Sequence, residues 1–227
     1  MSLSLDFQTV LEYWPDLLSG AILTMEITVV AAIFGLILGI FGAIGRRSKI
    51  RLVSTISGIY VEVIRNTPFL IQIFLVYFGL AVLGLKLSAF TVAIGALTIN
   101  TGAYTTEIMR AGFDAVPRAQ IESAEGLALS PFQIYWHIVL LPAMENVYPS
   151  LTSQFVLMML ASSICSQISA EELTGVATYI QSTTFRAFAT YIVIAVIYVM
   201  LSFVLRAGFW GLGLFLFPRR RRLGAWL

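Results

Sequence analysis

The chain has 227 residues, of which 59% are hydrophobic and 11% charged, and its mean hydropathy is +0.90. These values are typical of a polytopic membrane protein and exclude an ordinary soluble domain. One cysteine, Cys165, excludes an internal disulfide, and with one histidine, His137, it leaves too few ligands for a zinc or haem centre. The net charge of +2 gives no support for nucleic-acid binding, and the basic run at 219–222 is better explained by lipid head groups.

Five apolar stretches predict an all-α membrane protein with five transmembrane helices. About 20 residues at 1.5 Å each cross a hydrocarbon core of roughly 30 Å. The stretches are residues 20–44, 69–83, 90–109, 145–168 and 187–205. Gly35 and Gly39 in the first form a small-xxx-small pattern, which favours close packing against another helix of the same chain. No soluble domain or long linker is indicated, so residues 1–227 are predicted to form one transmembrane domain.

The segments between these stretches carry other signals. The helix from Leu52 is amphipathic and ends before Pro68, which breaks or kinks it. Residues 169–185 are too polar to span and are predicted to form short helices on the outer surface. The first sixteen residues contain no Lys or Arg, so we expect no secretory signal peptide there.

Basic residues near the ends of the stretches predict the orientation, because Lys and Arg are enriched in cytoplasmic loops. Ten fall on one side and two on the other, which places the N-terminus outside and the C-terminus in the cytoplasm. The ten are Arg46, Arg47, Lys49, Arg51, Arg110, Arg118, Arg219, Arg220, Arg221 and Arg222; the two are Lys86 and Arg186.

Residues 117–142 form a polar interruption that the membrane does not require. Pro117 suits the first turn of a short helix. Ser130 as N-cap, with Pro131 at the first helical position and Gln133 closing a capping box, predicts a second helix. We expect the two helices to join in a tight turn around Ala128 and the second to stop at Pro142. Such a pair would present a rigid docking surface to another protein in the cytoplasm.

Polar side chains within the apolar stretches indicate a transport path. Asn100, Tyr104 and Glu107 follow at i, i+4 and i+7 and so share one helix face. Polar groups at such depth face protein or water. Four further candidates for this path are Gln72, Gln154, Ser162 and Ser163.

The charged side chains near this path admit two interpretations. Glu107 either meets a cationic substrate or pairs with Arg110, three residues further along the helix. Glu62 and Arg65 have the same spacing, and we expect them to pair locally.

Catalytic signatures are missing from the sequence. There is no G-x-x-x-x-G-K-[ST] phosphate loop, and His137 has no Ser or Asp partner at a suitable place. We therefore expect no enzymatic activity. Two alternatives to a subunit of an energised transporter are a stand-alone carrier or channel and a structural membrane adaptor.

Several runs closely resemble the permease subunits of ATP-binding-cassette importers for polar amino acids, and the resemblance covers about residues 18–210. Glu122-Ser123-Ala124 matches the Glu-Ala-Ala loop of that family, which docks on the cytoplasmic ATPase. The matching runs are residues 62–68, 102–110, 116–124 and 172–174, with Leu141-Pro142 at the expected distance.

The resemblance implies a type I importer permease fold in a bacterial cytoplasmic membrane. It also implies four kinds of partner: two ATPase subunits that bind the ATP and Mg²⁺, a second permease subunit, an extracytoplasmic binding protein and the lipid bilayer. No cofactor or metal is expected in this chain. The second permease is either another copy or a relative, and the solute is a polar amino acid or a related compound such as an opine. The residues implied for ATPase coupling are Glu122, Ser123, Ala124, Leu127, Ala128, Leu129 and Ser130.

Two departures from the family pattern stand out. Ala128 replaces the usual loop glycine, which is tolerated if this residue is helical and has no positive φ. The run Leu160-Ala161-Ser162-Ser163 stands where a Lys-Asp-Thr-Ser run is common. Loss of that charge pair implies a subunit that contributes less to substrate binding in a heterodimer, or a substrate with different head-group demands.

Overall fold

The computed structural model describes residues 6–217, and its regular elements are all helical, which confirms the all-α fold class. The basic run at 219–222 lies outside the described residues. The helices are α1 (Phe7–Leu11), α2 (Trp14–Arg46), α3 (Arg51–Arg65), α4 (Phe69–Val82), α5 (Ala89–Asp114), α6 (Arg118–Gly126), α7 (Pro131–Gln133), α8 (Leu141–Ala161), α9 (Leu173–Thr184) and α10 (Ala187–Leu216).

Helices α2 and α5 form the centre of the fold and approach each other at glycines. A Cβ placed on Gly39 would lie 2.5 Å from the Cβ of Thr105, and one on Gly35 would lie 3.0 Å from the Cβ of Thr101. Both threonines are fully buried. The predicted role of Gly35 and Gly39 in packing within the chain is therefore confirmed, because only a residue without a side chain fits this separation.

The described residues contain three helical elements long and apolar enough to cross a membrane: α2, Pro131–Ile168 and α10. A fourth arises if α3 and α4, which meet at 108°, count as one bent span. At 14 residues, α4 is about 21 Å long, too short to span alone. The predicted count of five spans and the orientation of the termini thus stay predictions.

The predicted stop at Pro142 is wrong. A π-helical segment, Ile134–Leu140, joins α7 to α8, and a 3-10 segment, Ser162–Ile168, follows, so one helical element of 38 residues runs through Pro142. Proline lacks the N–H of an α-helical bond, and its ring would clash with the carbonyl four residues earlier. The wider π turn directly before Pro142 relieves that conflict, so the chain stays helical.

Within residues 169–185 the structure has one helix, α9 (Leu173–Thr184), where short surface helices were predicted. Its buried face, Leu173, Ala177 and Ile180, joins an apolar cluster with residues of α1, α2 and α10. Glu172 is the N-cap of α9, and its buried carboxylate accepts hydrogen bonds from the backbone N–H groups of Thr174 and Gly175 at 3.0 and 2.9 Å.

The Glu172 carboxylate also contacts α10, because Tyr198 donates its hydroxyl to it at 2.9 Å. Burial raises the pKa of Glu172 to about 7, although these donors act in the opposite direction.

Candidate functional site

The two helices of the 117–142 segment are locked together by backbone and side-chain caps. At the end of α6 the N–H of Leu129 donates to the carbonyl of Ala124 at 3.2 Å, and the N–H of Ala128 donates to that of Glu125 at 2.9 Å. These two bonds form a Schellman motif. The predicted Ser130 and Gln133 capping box is confirmed, with both reciprocal bonds present. The turn between the helices is therefore rigid.

Ala128 has φ +55°, so the condition under which alanine was expected to be tolerated here is not met. It occupies the residue after the helix cap in the Schellman motif, a position that takes the left-handed conformation and is usually glycine. A side chain in that conformation costs roughly 1–2 kcal/mol.

Replacing Ala128 with glycine is expected to raise the unfolding free energy by about 0.5–1 kcal/mol, since relief of the strain exceeds the entropy that glycine gains in the unfolded chain. Thermal unfolding of the purified protein in detergent measures the change. The matched control is Ala119→Gly in the first turn of α6, which should be destabilising by up to about 1 kcal/mol. An equal loss for both variants would contradict the strain at Ala128.

The predicted coupling residues divide into outward-facing and inward-facing groups. Ala124 is buried and Leu129 packs against the core cluster, so these two hold the turn to the rest of the protein. The other five, Glu122, Ser123, Leu127, Ala128 and Ser130, are exposed.

Phe132 and Trp136 were missed by the sequence analysis. Phe132 is 75% exposed, and the two rings stack with centroids 6.4 Å apart. Their i, i+4 spacing after a capped helix start was the available signal. We call these two residues and the five exposed coupling residues the docking surface. It combines exposed apolar rings with polar groups on a rigid turn, as protein interfaces do.

A cavity of about 510 Å³, lined by both polar and apolar side chains, lies between α3, α4, α5 and α8. Asn100, Tyr104 and Gln154, three of the predicted path residues, line it together. Arg65 also lines it, and its guanidinium carbon lies 5.3 Å from the centre of the Tyr104 ring. The volume suits a small polar molecule.

Gln72 does not line the cavity but is hydrogen-bonded to Asn100, which does. Its side-chain N–H groups donate to the carbonyl oxygens of Ile64 at 2.7 Å and Thr67 at 2.9 Å, across the bend between α3 and α4. Its carbonyl accepts a hydrogen bond from the Asn100 amide at 2.9 Å. Gln72 therefore fixes both the bend and the orientation of Asn100.

Glu107 does not line the cavity, although it shares the α5 face of Asn100 and Tyr104. Its carboxylate binds Arg110 at 2.8 Å and Arg46 of α2 at 3.4 Å. The interpretation that pairs Glu107 with Arg110 is therefore confirmed. Asp114 bridges Arg110 at 3.2 Å and Arg47 at 3.4 Å, so the adjacent ends of α2 and α5 are tied by a network of charges.

The expected pairing of Glu62 with Arg65 is wrong. Glu62 accepts a hydrogen bond from the Asn66 side chain at 3.1 Å, while Arg65 turns toward Tyr104. The Tyr104 ring attracts the guanidinium of Arg65 through a cation–π interaction. An exposed ion pair with Glu62 contributes too little free energy to outweigh this contact.

Ser162 and Ser163 do not line the cavity. Their hydroxyls donate to the carbonyl oxygens of Met159 at 2.6 Å and Leu160 at 2.7 Å, three residues back in the chain. Ala161, just before them, lines the cavity instead.

Comparison with known proteins identifies the family. Residues 18–209 match the family described as binding-protein-dependent transport system inner membrane component. The chain belongs to this family. It is thus a membrane permease subunit of the ATP-binding-cassette importer class, and the membrane location and resemblance expected from the sequence are confirmed at that level.

Relatives of this permease carry several substrate names. A Rickettsia conorii protein named as the glutamine transport system permease GlnP is 33% identical over 86% of this chain and 91% of its own. The nopaline permease NocM of Agrobacterium fabrum is 34% identical over 88% of this chain and 87% of its own. The arginine permease ArtQ of Bacillus subtilis is 32% identical over 89% and 93%.

Solved structures share the fold. An amino acid ABC transporter crystallised with histidines superposes on this permease with a TM-score of 0.82 at 37% identity, covering 90% of this chain and 95% of that one. The MetNI methionine transporter superposes with a TM-score of 0.74 at 19% identity, covering 90% and 98%, which indicates a common fold alone. The type I importer permease fold is therefore confirmed.

Proposed function

We propose that this chain is the transmembrane subunit of an ATP-driven importer that carries a polar amino acid from an extracytoplasmic binding protein into a bacterial cytoplasm. The observation that carries the proposal is the docking surface. An apolar, capped and rigid turn with Phe132 largely exposed is costly to keep in water unless another protein covers it.

The energy source lies in partner chains. Two cytoplasmic ATPase subunits bind ATP and Mg²⁺, and the permease itself holds no cofactor and performs no catalysis. Closure of the ATPases moves the docking surfaces of two permease subunits, and the membrane helices respond by changing access to the path.

The cavity between α3, α4, α5 and α8 is the proposed substrate site. Asn100 and Gln154 supply amide groups, Tyr104 supplies a hydroxyl and a ring, and Gln72 orients Asn100. The cavity is open on one side of the single chain, where a second permease subunit, identical or related, would complete the path.

An opine is the second candidate substrate. The nopaline permease NocM and the octopine permease OccM of Rhizobium radiobacter are 34% and 31% identical to this chain. Opines carry the same amino and carboxylate groups as amino acids, so they use the same polar contacts.

The test is uptake by the whole complex. The permease is reconstituted into proteoliposomes with its ATPase subunits inside and a binding protein outside, and uptake of labelled L-glutamine, L-arginine and nopaline is followed with and without ATP. The double variant Phe132→Ala/Trp136→Ala is expected to lose ATPase association and to lower uptake at least tenfold, because it removes the exposed rings of the docking surface.

Phe188→Ala is the matched control, since Phe188 is also an exposed aromatic residue, 63% exposed at the start of α10. It should leave ATPase association and uptake unchanged. Uptake that persists without any ATPase, or that is insensitive to the double variant, would instead favour a stand-alone carrier.

A further inference from the structure

The described side chains that line the cavity carry a positive charge and no negative charge. Of the side chains that line it, all of them within the described residues, Arg65 is the charged one and none is a carboxylate. The nearby acids make their close contacts with other groups: Glu107 with Arg110 and Arg46, and Glu62 with the Asn66 amide, while Glu107 attracts Arg65 only at longer range. No ion pair involving Arg65 occurs within residues 6–217.

The way Arg65 is held leaves its hydrogen-bond donors available. The guanidinium carbon lies 5.3 Å from the centre of the Tyr104 ring, a cation–π contact. The N–H groups of Arg65 lie in the plane of the guanidinium, and no carboxylate within residues 6–217 forms an ion pair with them. A planar fork of this kind matches a carboxylate, which it binds with two parallel hydrogen bonds.

Within the described residues, the α8 side of the cavity carries no acidic side chain that could attract a cation. Ala161 lines the cavity, and a methyl group there has no attraction for a cation. Gln154 and Asn100 are neutral amides, which accept and donate hydrogen bonds without a net charge.

We infer that Arg65 binds the carboxylate of the substrate, and that this cavity selects α-amino acids with neutral or anionic side chains over those with cationic side chains. The inference rests on the proposed function, and it names the substrate class of the same site. A cationic side chain would meet the field of Arg65 with no acid in the cavity to compensate it. The second amide hydrogen and the carbonyl oxygen of Asn100 complete recognition of the polar groups.

Equilibrium binding to the complex of permease and ATPase in nanodiscs tests the inference. The binding protein is omitted, so that the measured preference belongs to the permease. The probe is labelled L-glutamine, with L-glutamate, L-arginine and L-glutamine amide, which lacks the α-carboxylate, as competitors. L-glutamate is expected to compete and L-arginine and the amide to compete at least tenfold more weakly.

Two variants locate the effect. Arg65→Gln is expected to weaken L-glutamine binding about tenfold to a hundredfold, since a charge-assisted hydrogen-bonded pair is lost. Ala161→Asp places a carboxylate in the wall and is expected to shift the preference toward L-arginine. Arg51→Gln, at the exposed start of the same helix, is the control and should bind as the wild type does. Thermal unfolding verifies that each variant is folded.

The results of these experiments distinguish failure of the Arg65 inference from failure of the proposed function. L-glutamine binding that is unchanged in Arg65→Gln, or L-arginine that competes as well as L-glutamate in the wild type, would overturn the inference while leaving amino acid import intact. If the wild-type complex neither binds nor transports any of these amino acids, the proposed function itself fails and the inference fails with it.

Discussion

Replacing Gly39 with alanine is expected to destabilise the protein strongly, because the new Cβ would lie 2.5 Å from the Cβ of Thr105 and 3.0 Å from its backbone carbonyl carbon. Neither atom belongs to the end of a flexible side chain, so α2 and α5 must move apart. Overpacking of this kind costs about 1–3 kcal/mol. Within a membrane the cost is not offset by burial of apolar surface, since lipid is as apolar as the core.

Thermal unfolding in detergent and the yield of monodisperse protein measure the Gly39 effect. Gly208→Ala is the matched control, because nothing lies within 4 Å of a Cβ placed there. That variant should be neutral or slightly stabilising, as alanine is the better helix former by about 1 kcal/mol. Equal stability of the two variants would show that α2 and α5 are not packed at Gly39.

Glu172→Gln is expected to abolish a pH dependence of stability that the wild type shows. The pKa of Glu172 is raised from 4.5 to about 7 by burial, so the folded protein retains a proton that the unfolded chain has released. The stabilisation is complete below pH 4.5 and is lost as pH rises toward 7. The melting temperature of the wild type should therefore fall across this window by several degrees.

Melting curves between pH 4 and pH 8 in detergent measure the Glu172 effect. Glu171→Gln is the control, because Glu171 is the preceding acid and is exposed. It should keep the wild-type slope. A Glu172→Gln variant that melts with the same pH dependence as the wild type would contradict the buried position of this carboxylate at the start of α9.

Local patterns were predictable from the sequence because their partners are close in the chain. The Ser130 and Gln133 capping box and the Gly35 and Gly39 pair were both found, since each depends on spacing alone. The amphipathic helix ending before Pro68 was found for the same reason. Spacing also indicated that Asn100 and Tyr104 share a face, which the cavity uses.

Interactions between distant parts of the chain were not predictable in this way. Gln72 and Asn100 are 28 residues apart, and only the bend between α3 and α4 brings them together. Spacing placed Arg65 beside Glu62, yet the fold offers it the ring of Tyr104. The positive φ of Ala128 was not predictable from the sequence, because alanine rarely adopts this conformation.

Residues Pro131–Ile168 form one continuous helical element of 38 residues, which connects the docking surface to the cavity wall. Phe132 of the docking surface and Gln154 of the cavity wall lie on this one rod, about 33 Å apart at 1.5 Å per residue. A push at one end arrives at the other without crossing a loop that would absorb it. Under the proposed function, a movement that an ATPase imposes on Phe132 would therefore reach the cavity wall at Gln154.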